Sequence, residues 1–271
     1  MGQRRGIGRY KMILKIFVLS VVIFTWGIDS GHSQEIVSKE KIISKFSGRT
    51  PKTWAEVVRG VKTRLDTDQR VLALTFDACG GPRKLSYDTK LIQYLESEKV
   101  SATLFVSGRW IDANLEIFKK LSKNPLFEIE NHGLIHQPCS AIGRSVYGME
   151  GTKSVGEIYD EIEMNALKIL NLTGHKPKYY RPAAAYCDEI CVEIANDLGC
   201  QVVNFSVRGD AGATYSKKQV KEALLNAPPA SIILMHMNHP ESETAEGVIQ
   251  AIPELKKRGF RLVKLSEYRL R

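Results

Sequence analysis

The chain has 271 residues, 43% hydrophobic and 25% charged, with a formal net charge of +9 from 39 Lys+Arg against 30 Asp+Glu. These proportions are those of ordinary globular proteins and exclude a wholly disordered chain, a collagen-like repeat and a polytopic membrane protein. The basic excess would indicate nucleic acid only if it lay on the folded surface that meets phosphates.

It lies at the front instead. Residues 1–33 hold five basic residues and one acidic, residues 34–70 hold nine and five, and the remainder holds 25 and 24. The bulk of the chain is close to neutral, so nucleic acid is not an expected partner. Arg4, Arg5, Arg9, Lys11 and Lys15 precede the apolar run Ile16 to Trp26, and Gly31-His32-Ser33 supplies small residues before Gln34. A basic stretch, a short apolar run and a small-residue site predict a signal peptide over residues 1–33. The run falls short of the roughly 18 apolar residues of a spanning helix, which favours cleavage over an uncleaved anchor. The expected destination is the periplasm or the exterior, with membrane contact only through this segment if it is retained.

Export bears on the cysteines. Cys79, Cys139, Cys187, Cys191 and Cys200 form an odd set that would meet an oxidising compartment. One or two disulfides are expected, with the pairing open; Cys200 reads equally well as a small buried side chain.

Residues 34–68 are polar and Lys-rich and predict a basic linker with a short helix around Trp54–Leu65. From residue 69 to 271 the pattern changes to that of one folded domain. Apolar runs at Val71–Phe76, Ala102–Val106, Phe127–Ile129, Tyr179–Arg181, Gln201–Phe205, Ser231–Met235 and Arg261–Lys264 predict strands. Amphipathic stretches near Tyr87–Lys99, Leu115–Lys123, Val155–Leu172, Glu189–Leu198, Lys217–Leu225 and Thr244–Arg258 predict helices. Seven strands alternating with six helices predict an α/β fold with a largely parallel sheet.

In such folds chemistry gathers beyond the carboxyl ends of the strands. Asp77-Ala78-Cys79-Gly80-Gly81 follows the first strand, Asn131-His132 through His136 the third, and Arg181-Pro182 the fourth. Arg208-Gly209-Asp210 follows the fifth, and His236-Met237-Asn238-His239 the sixth. Each residue has a plainer alternative: Asp77 as a helix cap, Asp210 as a turn residue, Arg181 in a surface ion pair, His236 as a core histidine. Four of the six histidines on one rim nevertheless point to a site. His132 and His136, four apart, would share a face of a helical turn and could hold one ion.

These residues resemble the polysaccharide deacetylase family, the NodB-homology domain of the family 4 carbohydrate esterases. The likeness runs from about Val71 to Tyr268 through Thr75-Phe76-Asp77, His132-x-x-x-His136, Arg181-Pro182, the Asp210 segment and Leu234-x-His236, in the family's order. Gly259-Phe260-Arg261-Leu262-Val263-x-Leu265-Ser266 closes it in a way typical of the family. The resemblance implies a distorted (β/α) barrel of about seven parallel strands and removal of acetyl groups from an N-acetylated cell-envelope polysaccharide. It implies a divalent metal, Zn2+ foremost with Co2+ or Mn2+ as alternatives, held by His132 and His136. Asp77 would be the base, Arg181 its partner, His236 the acid and Asp210 the residue that tunes it.

Three positions depart from the family. Its second aspartate, a metal ligand, is Ala78 here; Asp77 itself, Cys79 or His239 could replace it, and Asp77 is the favoured substitute, with a Cys79–Cys139 disulfide removing the thiol option. The aromatics that line the sugar groove are replaced by Ala184 and Gly212. A small amide or imide is therefore the alternative substrate, and a non-catalytic glycan-binding module the alternative to an enzyme. Finally, the glycine-rich stretch Gly143 to Gly156 reads either as a solvated loop or as a lid carrying Tyr147.

Overall fold

The structure is a computed structural model, and it describes residues 1–2, 37–80 and 86–271. The signal peptide expected over 1–33 and the second glycine of the Gly80-Gly81 turn lie outside the described residues.

A helix α1 (Lys39–Phe46) opens the described chain and is followed by irregular backbone to β1 (Val71–Ala78). Then come α2 (Thr89–Ser97), β2 (Ala102–Val106), α3 (Gly108–Ala113), α4 (Leu115–Ser122) and β3 (Phe127–Asn131). A short antiparallel hairpin, β4 (Ser145–Val146) and β5 (Met149–Glu150), precedes α5 (Val155–Tyr159), a π-helical turn Asp160–Met164 and α6 (Asn165–Thr173). The remaining elements are β6 (Tyr179–Tyr180), α7 (Glu189–Asp197), β7 (Gln201–Val202), β8 (Val207–Arg208), α8 (Lys217–Leu225), β9 (Ser231–His236), α9 (Thr244–Lys257) and β10 (Arg261–Val263).

The sheet runs in the order β7-β6-β3-β2-β1-β9-β8, with β10 also on β1, and every pairing in it is parallel. All seven expected strands are present, curled into a distorted (β/α) barrel. Residues Val71 to Ala78 of β1 are buried throughout, as a parallel strand covered on both faces must be. Alternate side chains divide between two cores. Leu72, Leu74, Phe76 and Ala78 pack outward under α2, α8 and α9, whereas Val71 and Ala73 point into the barrel with Phe105, Val203 and Ile232.

The stretch from 37 to 68 is packed rather than extended. The helix expected around Trp54–Leu65 is not there; the helix is α1, capped by Ser38, with Ile42 and Phe46 buried against α5 and α7. Beyond it the backbone spans the open seam of the barrel. Lys62 donates to Val202 and accepts from Asn204, while Leu65 donates to Ala230 beside β9. Val58, Val61 and Leu65 are buried in consequence. Covering exposed strand edges in this way satisfies backbone groups that would otherwise be left unpaired. Sparse apolar residues in a Lys-rich stretch gave no periodic signal for this role.

Candidate active site

Parallel strands deliver their carboxyl ends to one rim, and the site is built there. Asp77 and His236 are register partners in the β1–β9 ladder. His132 follows β3, Arg181 follows β6 and Asp210 lies two residues past β8. All but Arg181 and Asp210 border a cleft of about 720 Å³, which also exposes Cys79, His136 and His239. Arg181 and Asp210 sit fully buried behind it.

Arg181 is the buried cation of the site. Its Nη1 donates to Asp77 Oδ1 at 2.7 Å and to Thr75 Oγ1 at 2.9 Å, its Nε to Val203 O at 3.1 Å, and its Nη2 to Asn204 O at 3.0 Å. The guanidinium also lies 4.1 Å from the centre of the Phe105 ring. Burial lowers its pKa against the pull of Asp77, yet a guanidinium begins so high that it stays charged. Asp77 is thereby fixed through one oxygen, and its Oδ2 stands 3.6 Å from His132 Nε2.

His132 is oriented by its other nitrogen. Nδ1 lies 2.8 Å from the Arg181 carbonyl, which can only accept, so Nδ1 carries the proton and Nε2 is left as the donor atom toward the cleft. Burial would lower the His132 pKa, but facing Asp77 and Cys79 raises it above the ordinary value. Cys79 Sγ lies 3.6 Å from the same Nε2. Donor atoms of Cys79, His132 and His136 all fall within 4.8 Å of one another, the only such metal-holding group among the described residues. Burial would raise the Cys79 thiol, but the His136 charge and contacts with His132, His136 and His236 hold it well below the usual thiol range. Soft thiolate and imidazole donors fit a zinc-like ion.

The histidine pair does not share a helical turn. Residues 132–138 form a loop, His136 adopts φ 63°, and the two rings approach edge to face at 4.7 Å between centres. The π-helical turn shapes that loop. Glu161 accepts from Ile135 N at 3.0 Å and Gln137 N at 2.8 Å, while Leu134 N donates to the Glu161 carbonyl at 2.9 Å. Gly133 has φ +84°, and a Cβ there would meet Glu161 Oε1 at 2.2 Å, so only glycine lets the loop close onto that carboxylate. Asn131 adds its Oδ1 to Gly133 N at 2.9 Å and is itself held by Asn165 Nδ2 at 2.7 Å. Glu161, Asn131 and Asn165 gave no sequence signal beyond polar residues in otherwise apolar stretches.

On the opposite wall, Asp210 Oδ1 lies 2.9 Å from His236 Nδ1, and its Oδ2 accepts from His236 N at 2.7 Å and Thr244 Oγ1 at 3.1 Å. Burial opposes charge on both, but mutual attraction wins: His236 is raised well above 6.5 and Asp210 falls below its usual range. The pair thus favours the protonated form of His236, whose Nε2 is directed away from Asp210. His239 turns its Nδ1 to Glu241 at 2.8 Å and lies outside the Cys79–His132–His136 group.

The stretch from Gly143 to Gly156 contains the β4–β5 hairpin, not a featureless loop. Tyr147 sits at its tip, 71% exposed, edge-on to Tyr186 at 5.9 Å, and Tyr186 packs in turn on Trp54 at 5.7 Å. Beside them Glu56 pairs with Arg208. Tyr147, Glu56 and Arg208 border the cleft, with Ala184 and Ala185 at positive φ on its lip. The disulfide is Cys139–Cys191, which ties the histidine loop to α7; Cys79 is a free thiol, so the Cys79–Cys139 alternative does not form.

A parallel α/β barrel with a buried carboxylate–guanidinium pair, a histidine–carboxylate pair and a histidine–thiol cluster on one rim defines a hydrolase class. Residues 64–203 match the model of the polysaccharide deacetylase family, and the chain belongs to that family, hydrolases of non-peptide carbon–nitrogen bonds. A peptidoglycan-N-acetylglucosamine deacetylase of Bacillus cereus is 25% identical over 211 residues, which cover 76% of this chain and 92% of that one. A family 4 acetyl xylan esterase of Clostridium thermocellum, solved with a cobalt ion, is similar at a TM-score of 0.59 and 25% identity, covering 73% of this chain and 89% of that one. A variant of a CE4 family pseudoenzyme with restored activity is similar at 0.63 and 25%, covering 76% and 70%.

Proposed function

We propose that the cleft removes acetyl groups from an N-acetylated cell-envelope glycan in a metal-dependent hydrolysis. The observation that carries this reading is the pairing of Asp77 with His236 across one rung of the sheet, each locked by a buried partner of opposite charge. Full burial of Arg181 and Asp210 is expensive unless both are paired, and these pairs leave one base-like and one acid-like group facing the cleft.

A divalent metal held by the histidine pair would supply Lewis acidity, polarising the acyl carbonyl and acidifying water. Asp77, anchored through Oδ1, offers Oδ2 to take the proton of the attacking water. His236 carries its proton on the side of the cleft and gives it to the departing amine. Arg181 and Asp210 position these two groups and do not touch substrate. The rim supports a sugar over a small amide: Tyr147 supplies an aromatic face in place of those lost at Ala184 and Gly212.

Export is part of the same proposal. The basic and apolar composition of residues 1–33 and the Cys139–Cys191 disulfide both favour an oxidising compartment.

The test is acetate release from N-acetylglucosamine oligomers and from peptidoglycan, measured against added zinc or cobalt. No release with either metal would reject catalysis. Ala78 in place of the family aspartate favours one rival, a glycan-binding module without turnover. That rival expects oligomer binding with no acetate released at any metal concentration.

A further inference from the structure

We propose that Cys79, as a thiolate, is the third protein ligand of the metal, so that this chain carries a Cys–His–His site selective for a thiophilic divalent ion. The inference rests on the metal-dependent reading above and concerns the donor set alone.

The strand decides which residue can reach the ion. Successive side chains of β1 alternate faces, so Ala78 packs outward with Leu74 and Phe76 in the core beneath the helices. Cys79 lies two residues beyond Asp77 and opens into the same cleft. The backbone at Cys79 and Gly80 is packed closely: Ser107 Oγ donates to the Cys79 carbonyl at 2.7 Å, and at Gly80, with φ +70°, a Cβ would strike Ser107 Oγ and Trp110 N at 2.7 Å. The backbone that carries the sulfur is therefore fixed by these contacts.

The spacing then fits. A tetrahedral zinc with bonds of about 2.3 Å to sulfur and about 2.1 Å to nitrogen places those two donors about 3.6 Å apart. Cys79 Sγ and His132 Nε2 are separated by 3.6 Å, and a His136 nitrogen completes a triangle with all sides under 4.8 Å. The Arg181 carbonyl occupies His132 Nδ1, so Nε2 is the atom available to bind. Asp77, the favoured substitute from sequence, is not a member of this group: its Oδ1 is engaged by Arg181, and its Oδ2, though 3.6 Å from His132 Nε2, does not join the set of mutually close donors. His239 is turned to Glu241. Three protein donors leave the fourth position of a tetrahedral ion open, as a catalytic site requires.

Cobalt substitution of the full chain tests this directly. Cobalt bound through a thiolate gives an intense charge-transfer band in the near ultraviolet, which carboxylate and imidazole ligation do not. The native chain is expected to show that band at one cobalt per chain. Cys139 and Cys191 are joined, and Cys187 and Cys200 belong to a separate buried cluster, so the band reports Cys79. Cys79→Ser should abolish it, and Cys79→Asp should abolish it while lowering the preference for zinc over manganese by at least about tenfold. Cobalt bound without the band in the native chain, or a band that survives in either variant, overturns the proposal and leaves the deacetylase reading intact. A full band with no acetate release rejects the deacetylase reading and leaves this one standing. No cobalt bound at all overturns both.

Discussion

Asp77 on β1 and His236 on β9 face each other in the parallel ladder, each at or next to the carboxyl end of its strand. Neighbouring strands lie about 4.8 Å apart, so the separation of these two side chains is set by sheet register and not by loop conformation. A slip of one residue would turn one of the two side chains away from the cleft. The buried ion pairs that hold them are costly by themselves and make sense as devices that fix two side chains on a rigid frame.

Asp77→Asn retains the shape of the carboxylate but not its affinity for a proton. Acetate release should fall by about 10²–10⁴-fold. The change also leaves the fully buried Arg181 charge without its counter-ion, so unfolding free energy should drop by about 3 kcal/mol. Arg181→Lys should be destabilising too, because a lysine cannot replace the separate donors to Val203 O and Asn204 O. Turnover undiminished in Asp77→Asn would remove Asp77 from the chemistry.

The His236–Asp210 pair predicts the pH behaviour. Folding raises the His236 pKa well above 6.5, so its stabilising contribution is complete below that value and is lost as pH rises through the folded pKa. Asp210 is depressed from 3.8, so its contribution is present above that value and is lost as pH falls through its folded pKa. Between those limits the pair is ionised and His236 can donate. The alkaline limb of kcat/KM should therefore lie above 6.5 in the native chain. In Asp210→Asn it should move to lower pH by about one to three pH units, because the charge that raised His236 is gone. An alkaline limb indifferent to Asp210→Asn would mean that another group titrates there.

Much of this architecture is legible in the sequence because strands and rim residues carry local signals. Continuous apolar runs mark β1, β2 and β9, and the polar residue ending each run marks the rim. The histidine loop was legible as a pair but not in its geometry: four-residue spacing suggests a helical turn, whereas Gly133, Asn131 and Glu161 build a loop from parts distant in sequence. The segment at 37–68 was not legible at all, since its burial comes from plugging a seam that exists only after the sheet has curled. Cys79 was legible as one of three candidates, and the engagement of Asp77 by Arg181 and of His239 by Glu241, which the sequence does not show, sets it apart.

Gly133 and Glu161 give a test of that loop. Gly133→Ala sets a Cβ 2.2 Å from Glu161 Oε1 at a backbone angle that side chains disfavour, so the loop must open. Zinc affinity should fall by about 10–100-fold, as for other changes that disturb the support of metal ligands. Glu161→Gln keeps one acceptor for two backbone donors and should show a smaller loss in the same direction. Unchanged zinc affinity in Gly133→Ala would show that His132 and His136 do not depend on this packing.

Reduction of Cys139–Cys191 frees the chain after the histidine pair from α7 over a separation of 52 residues. Removing the bridge as Cys139→Ser/Cys191→Ser should lower the unfolding free energy by about 2–4 kcal/mol, read from denaturant melts of oxidised, reduced and mutant chains. Identical melts with and without reductant would show that the bridge is not formed or not stabilising.

Tyr147 separates substrate binding from chemistry. It lines the cleft from the tip of the β4–β5 hairpin, edge-on to Tyr186 and in side-chain contact with Arg208, apart from the Asp77–Arg181 and His236–Asp210 hydrogen bonds. An aromatic face is worth about 1 kcal/mol in such contacts, equivalent to roughly a fivefold change in affinity. Tyr147→Ala should therefore raise KM for an N-acetylglucosamine oligomer about fivefold with kcat little changed, and Tyr147→Phe, which keeps the ring but loses the hydroxyl contact with Arg208, should show a smaller rise. The loss should shrink as the oligomer is shortened to a single sugar, because a monosaccharide held at the Asp77–His236 rung no longer extends to the hairpin. A fall in kcat at constant KM would move Tyr147 into the reaction itself, and an effect equal for monomer and oligomer would reject the hairpin as a platform for the glycan chain.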